Sequence, residues 1–282
     1  MPEGPEIWRS ADALARVLDG QTLRSAELTL PPLKRYGALL SGELVHRVQA
    51  RGKAIVTHFG NGLCLYSHNQ LYGRWYVTRA HHPPNTNRTL RVALHTDRHT
   101  AWLYSASDIA VIEASHLDLH PYLAKLGVEA LDPVVTWRDV ASRLQQPQFR
   151  GRRLAGLYLD QHCVAGIGNY LRSEILFDAG IHPMQRPMDL TRGEIGRLAR
   201  STLTITRRSL QTGGITNPPA RASRMKREGA RYQARRFAIF ARAGLPCYSC
   251  GTEILRETMS GRRLYLCPAC QPAPRRNQQR TA

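Results

Sequence analysis

Four of the six cysteines form two pairs, Cys247-x2-Cys250 and Cys267-x2-Cys270, separated by sixteen residues. Two such knuckles joined by roughly 15 to 20 residues supply four thiolates for a tetrahedral Zn²⁺, with the intervening chain as a β-hairpin. Four sulfur ligands leave no open position for water, so the spacing predicts one structural zinc. The hairpin carries Arg262 and Arg263 near its tip. They read either as phosphate ligands or as an active-site charge. Cys64, in an apolar strand, and Cys163, near a helix end, read as buried thiols.

The chain opens Met1-Pro2-Glu3-Gly4-Pro5-Glu6. Initiator Met is normally removed before a small residue such as Pro, which would leave Pro2 as a secondary amine at the start of a helix. An α-amino group titrates near about 7.7 to 8.0 and Lys near about 10.4, so it offers roughly a few hundred times more unprotonated nucleophile at neutral pH. The positive end of the helix dipole disfavours protonation further. Attack on an aldehyde carbon then gives an iminium that stays cationic, because a secondary amine has no second proton to lose, and that iminium is an electron sink. Glu3 and Glu6, three apart on one face of a first turn, place a carboxyl where it can protonate a leaving oxygen. Pro and Glu at these positions also make an ordinary helix start.

Positioning these groups requires several elements. Ile7, Ala11, Leu14 and Leu18 repeat at helical spacing, and Gly20 ends that helix. From about 22 to 112 the pattern changes to short β-rich runs at Glu43–Ala50, Lys53–Phe59, Leu63–Ser67, Arg74–Thr78, Thr89–Thr96 and Ala101–Tyr104, a β-sandwich or barrel. Helical patterns follow near Trp137–Leu144, Arg153–Gln161, Asn169–Ala179 and Arg192–Leu210, the last opened by a Thr191/Glu194 capping box. The turn Gly166-Ile167-Gly168-Asn169 can bring backbone amides close to an anion, although such turns also merely join helices. Residues 211–235 show no period and many arginines, and read as a flexible loop.

Charge points to a polyanion. Lys+Arg number 40 against 21 Asp+Glu, and residues 201–282 alone carry 16 basic and 3 acidic side chains. Such a concentration suits phosphates, whose neutralisation releases counterions. No helix pairs a basic face with a Trp/Phe/Leu face, so a membrane surface is disfavoured. The 42% hydrophobic content is ordinary for a chain that buries a core, and no apolar run reaches the roughly 18 residues of a membrane span. With no signal-peptide pattern at the N-terminus, a cytoplasmic, nucleoid-associated location is expected.

MPEGPEI, RGKAIVTHF, SHNQLYG, YSASD, GIGNYLRSEIL and the closing CxxC pair, in that order from Met1 to Cys270, resemble the formamidopyrimidine-DNA glycosylase and endonuclease VIII family. The MPEGPEI start and the SHNQLYG run are closer to the endonuclease VIII branch. The resemblance implies an α+β multidomain chain. Residues 1–120 would form the helix-bearing β-sandwich, 121–236 a helix-two-turns-helix domain with the loop 211–235, 237–270 a zinc ribbon and 271–282 a basic flexible tail.

It also implies a bifunctional glycosylase and abasic-site lyase of base excision repair, acting as a monomer on damaged double-stranded DNA. Pro2 would attack C1′, Glu3 would serve as acid/base and Glu6 would support that centre. Lys53 would act at the sugar-phosphate, and its place after Arg51-Gly52 suggests an exposed ammonium. Gln70, Leu71 and Tyr72 would fill the space left by an extruded base, Asn169 would bind phosphate, and Arg262 would bind phosphates and promote δ-elimination. Where close relatives carry a DNA-contacting Arg, this chain has Lys125. A purine-directed glycosylase and a non-catalytic zinc-ribbon DNA binder are the rival readings, and Pro2, Glu3 and Lys53 together argue against the second.

Overall fold

The computed structural model describes residues 2–274; Met1 and residues 275–282, which hold most of the expected basic tail, lie outside the described residues. The chain divides into two compact units that meet between Lys125 and Leu126. The break falls later than residue 120 because Leu123 is buried and Tyr122 accepts a hydrogen bond from the Lys53 amide in the first unit.

In the first unit, α1 (Gly4–Leu18) buries the stripe Ile7, Ala11, Leu14 and Leu18. It is followed by β1 (Ser25–Leu28), the short α2 (Tyr36–Leu40), β2 (Val45–Arg51), β3 (Ala54–Phe59), β4 (Leu63–His68), β5 (Arg74–Arg79), β6 (Leu90–His95), β7 (His99–Tyr104) and β8 (Asp108–Glu113). The strands form two four-stranded antiparallel sheets, ordered β1-β6-β7-β5 and β2-β3-β4-β8. Their apolar residues, among them Val45, Ile55, Leu65, Val92, Leu94 and Leu103, join the α1 stripe in one core. Two strands, β1 and β8, escaped the sequence reading. The first is short and mostly exposed, and the second is half-buried along nearly its whole length, so neither shows a clean alternation.

Burial holds the imidazoles of His58, His68, His95 and His120 below their ordinary value of 6.5. The unfolded chain takes up these protons as pH falls through that value, while the folded chain resists them. Stability is therefore fully present above the unfolded value and is lost as pH drops toward the folded ones. Thermal melts are expected to show a lower Tm near pH ~5 than near pH ~7.5, and an equal or higher Tm at the acid pH would contradict this linkage.

The second unit begins with β9 (Val128–Glu129), then α3 (Trp137–Gln145), α4 (Pro147–Arg150), α5 (Leu154–Leu157), β10 (Val164–Ala165), α6 (Asn169–Asp178) and α7 (Arg192–Gln211). The helix expected over 153–161 stops at Leu157. Side chains impose turns there instead: Asp160 accepts from the His162 amide, while Gln161 donates to the carbonyls of Leu159 and Ile167 and accepts from the Gly166 amide.

The segment expected as a flexible loop contains α8 (Pro219–Arg227) and α9 (Tyr232–Arg236). Only Ala222 of α8 is buried and no residue of α9 is, so no apolar stripe announces them. Their base is held by Asn217, which donates to the carbonyls of Arg235 and Phe237. The antiparallel hairpin β11 (Leu255–Met259) and β12 (Arg262–Leu266) completes the unit. Leu264 and Leu266 pack into the helical core, so the ribbon is not a separate body. Gln271, expected to begin the tail, is fully buried and ties Cys267 to the Ile181 carbonyl. Among the described residues, no helix is long and apolar enough to cross a membrane.

Candidate active site and nucleic-acid interface

The sequence reading placed Glu3 on the first turn of α1, but the helix begins at Gly4 and Glu3 is its N-cap, in extended backbone and only 4% exposed. Glu3 and Glu6 form a reciprocal capping box, in which the Glu6 carboxylate accepts from the Glu3 amide at 3.0 Å. Arg9 holds the other Glu6 oxygen at 3.0 Å. Glu6 is thus fixed as a brace for the backbone of Glu3. Pro2, half-buried, precedes this brace directly, at the positive end of α1.

Lys53 sits in the two-residue turn between β2 and β3, where Arg51 pairs with Ala54 and Gly52 takes a φ of +59°. Contrary to the expected exposed ammonium, Lys53 is 7% exposed. Its amide donates to the Tyr122 hydroxyl at 2.7 Å, and the Tyr122 ring meets His68 edge-on at 5.3 Å. Burial lowers the His68 imidazole and the nearby Lys53 charge lowers it further, against the pull of Asp108. The His68 Nδ1 accepts from the Gln70 amide at 3.1 Å, so this neutral ring links the Lys53 turn to the next loop.

That loop joins β4 to β5 and carries the expected wedge. Leu71 and Tyr72 are 60% and 70% exposed at its tip, an unusual cost for two large apolar groups in water. Gln70 has a φ of +48° and its side chain accepts from Ser107 at 2.9 Å, while Gly73 closes the turn on the Asn69 carbonyl. A Cβ at Gly73 would lie 2.6 Å from that carbonyl oxygen, so only glycine fits.

In the second unit, Asn169 is the first residue of α6 and its Oδ1 accepts from Arg172 at 2.7 Å. Arg262 follows the turn Ser260-Gly261, whose φ values of +53° and +69° suit a tight hairpin, and both Arg262 and Arg263 are exposed. The ligand atoms of Cys247, Cys250, Cys267 and Cys270 lie within 4.8 Å of one another. Sulfur separations of 3.9, 3.4 and 3.5 Å bracket the roughly 3.8 Å edge of a tetrahedron built on ~2.3 Å Zn–S bonds. The four thiols therefore fit one zinc. Cys64 and Cys163 are buried elsewhere, as expected.

Residues 1–107 match the formamidopyrimidine-DNA glycosylase N-terminal domain, 126–218 its H2TH domain and 244–273 the zinc finger found in FPG and IleRS. Endonuclease 8 of Escherichia coli (strain HS) is 45% identical over 96% of this chain and 100% of its own length, and that of Salmonella typhimurium (strain LT2) is 44% identical over the same shares. The chain belongs to the formamidopyrimidine-DNA glycosylase family. A crystal structure of the Lactococcus lactis Fpg with a DNA containing N7-benzyl-Fapy-dG superposes with a TM-score of 0.79 over 96% of this chain and 100% of that one, at 21% identity. A second Lactococcus lactis Fpg complex, with DNA containing an oxidised pyrimidine, gives 0.78. These two share the fold.

The residues expected to form the site fall into two sets, each within one unit. Pro2, Glu3 and Glu6 lie together at the start of α1, and Lys53 is linked through Tyr122 and His68 to the loop of Gln70, Leu71 and Tyr72; Asn169, Arg262 and the zinc ligands lie in the other unit. Lys125 stands exposed on the 3-10 turn Leu123–Lys125. Sequence reasoning missed Tyr122, Arg172 and Glu174. Arg172, Ser173 and Glu174 are all buried within α6, and three successive polar residues inside an otherwise apolar helix were the available signal of a buried polar network. Glu174 accepts from the amides of Ala238, Ile239 and Phe240 and from the Thr216 hydroxyl. Burial pushes its carboxyl up, and those hydrogen bonds oppose the shift.

Proposed function

We propose that this chain removes oxidised pyrimidines from duplex DNA as a monomeric glycosylase and abasic-site lyase that works through a covalent intermediate on Pro2. The observation that carries the reading is the N-terminal arrangement: a processed Pro2 would present a secondary amine next to a buried N-cap carboxyl, Glu3, whose backbone amide is held by Glu6, itself held by Arg9.

The Pro2 nitrogen would donate its lone pair to C1′, and the damaged base would leave with the glycosidic electrons and the proton that the Pro2 nitrogen gives up. Glu3, in its acid form, would protonate the ring oxygen as the sugar opens to a cationic iminium. Loss of a C2′ proton into that electron sink expels the 3′ phosphate, and a second elimination expels the 5′ phosphate. Lys53 would hold the sugar-phosphate during these steps, and Arg262 the departing phosphate. One zinc on Cys247, Cys250, Cys267 and Cys270 would fix the hairpin that carries Arg262 and would take no part in the chemistry.

The substrate class follows from the wedge. Gln70, Leu71 and Tyr72 are contiguous and can enter the gap left by an extruded nucleotide as one unit. Non-planar lesions such as thymine glycol stack poorly, so their extrusion costs less than that of 8-oxoguanine. Single-turnover rates in matched duplexes are therefore expected to be higher for thymine glycol than for 8-oxoguanine opposite cytosine. Leu71→Ala is expected to slow excision from a duplex by about tenfold and cleavage of a pre-formed abasic site by less. A clear preference for 8-oxoguanine would reassign the chain to a purine-directed activity.

A further inference from the structure

Residues 219–236 form an arm of two short helices, α8 and α9, in which Ala222 alone is buried. Ordering a segment of this length costs conformational entropy that so little apolar burial does not offset. What fastens the arm is polar. At its root the Thr216 amide donates to the Arg236 carbonyl at 2.8 Å, and Asn217 donates to the carbonyls of Arg235 and Phe237 at 3.0 and 2.8 Å.

A second fastening reaches the zinc site. Tyr248 stands between Cys247 and Cys250, inside the first knuckle. The Arg221 guanidinium of α8 lies 4.9 Å from the centre of the Tyr248 ring, and that of Arg242 lies 3.4 Å from the same centre. Arg242 is itself fixed, donating to the carbonyls of Ala238 and Pro246 at 2.7 and 2.9 Å. A guanidinium held over a ring keeps its in-plane N–H groups, and Arg221 spends one on Asn217 Oδ1 at 3.4 Å. One aromatic ring thus joins α8 to the knuckle that the metal closes.

The arm carries seven basic side chains against one acidic. Arg221 is used as described, Arg236 donates to the Gly214 carbonyl, and Arg224 meets Glu228 at 3.8 Å. Lys226, Arg227 and Arg231 are exposed at and beside the turn between the two helices, and no ion pair among the described residues involves them. Cations suit the C-terminal end of α8, which accounts for Lys226 and Arg227. Arg231 is the N-cap of α9, where the helix dipole disfavours a cation, so helix stability does not call for it.

We propose that the α8–α9 arm is a phosphate-binding surface for the DNA backbone, through Lys226, Arg227 and Arg231, and that Tyr248 is the positioning residue that fastens it to the zinc knuckle. The proposal rests on the reading of this chain as a duplex-binding enzyme. Binding by the wild-type protein tests that reading separately.

The full chain with zinc is titrated with a duplex carrying a tetrahydrofuran abasic analogue over a range of salt concentrations. It is compared with the triple variant Lys226→Gln/Arg227→Gln/Arg231→Gln, with Tyr248→Ala and Tyr248→Phe, and with the triple variant combined with Tyr248→Ala. Each phosphate contact contributes about 0.9 to the slope of log affinity against log salt, so the triple variant is expected to flatten that slope by about two units or more and to weaken binding about thirtyfold. Its single-turnover excision at saturating enzyme should fall by less than its affinity does. Tyr248→Ala is expected to cost about fivefold in affinity alone and nothing further in the triple variant, because both act on one contact. Tyr248→Phe, which keeps the ring, should restore most of that loss. An unchanged salt slope in the triple variant would overturn the proposal, and slowed excision with that slope intact would place the arm at the lesion instead. A combined variant weaker by the product of the separate losses would remove Tyr248 from the positioning role. Zinc content and thermal melts accompany each variant, and where Tyr248→Ala loses metal the same cycle is run with Arg221→Gln, under the same criterion.

Discussion

A chain carrying an uncleaved N-terminal extension is expected to lose base excision and strand cleavage by about a thousandfold or more, while still binding an abasic-analogue duplex within a few-fold of the processed protein. The extension converts the Pro2 nitrogen into an amide, whose lone pair is delocalised into the carbonyl and cannot attack C1′. Lys53 is the other amine of interest in the same unit, and its turn is held by the Tyr122 hydroxyl. The binding measurement is the control, because Pro2 is half-buried and an extension can also obstruct DNA. Retention of excision and cleavage by the extended chain would remove Pro2 from the mechanism.

The second large effect is expected from Cys267→Ser. Cys267 is fully buried in a small cluster with Ile239, Cys247, Ile254 and Tyr265, so the knuckle end of the ribbon depends on the metal even though Leu264 and Leu266 anchor β12 in the helical core. Zinc supplies the missing term, on the order of 10 kcal/mol in isolated finger peptides. Removing one of four thiolates should release the metal, disorder the Arg262 turn and weaken DNA binding on the order of a hundredfold. The sandwich of the first unit, with its own core, should keep its thermal transition. Metal analysis, binding and a melt decide it, and full binding by a zinc-free variant would contradict the structural role.

The parts of the molecule that could be read in advance are those encoded over short spans. The two CxxC knuckles, the α1 stripe and the six apolar strand runs each lie within one element, where spacing alone decides which side chains share a face or a metal. The parts that could not be read depend on residues distant in sequence. Lys53 reads as exposed because nothing near it in sequence predicts that the Tyr122 hydroxyl, 69 residues on, accepts its backbone amide. Arg172 went unassigned because one of the carbonyls it holds, that of Arg263, lies 91 residues away in sequence. The helices α8 and α9 are anchored through Asn217 and Gly214 rather than through an apolar stripe, so periodicity passes over them. Glu3 illustrates the smaller kind of error: shifting the helix start by one residue turns a first-turn carboxyl into an N-cap.

Borohydride reduction of the processed protein on a duplex bearing one abasic site, followed by proteolysis and peptide mapping, tests covalent catalysis at Pro2 most directly. The expected result is a single DNA-linked peptide whose modified residue is Pro2. A linkage mapped to Lys53 or to any other lysine, with the Pro2 peptide recovered unmodified, would contradict it.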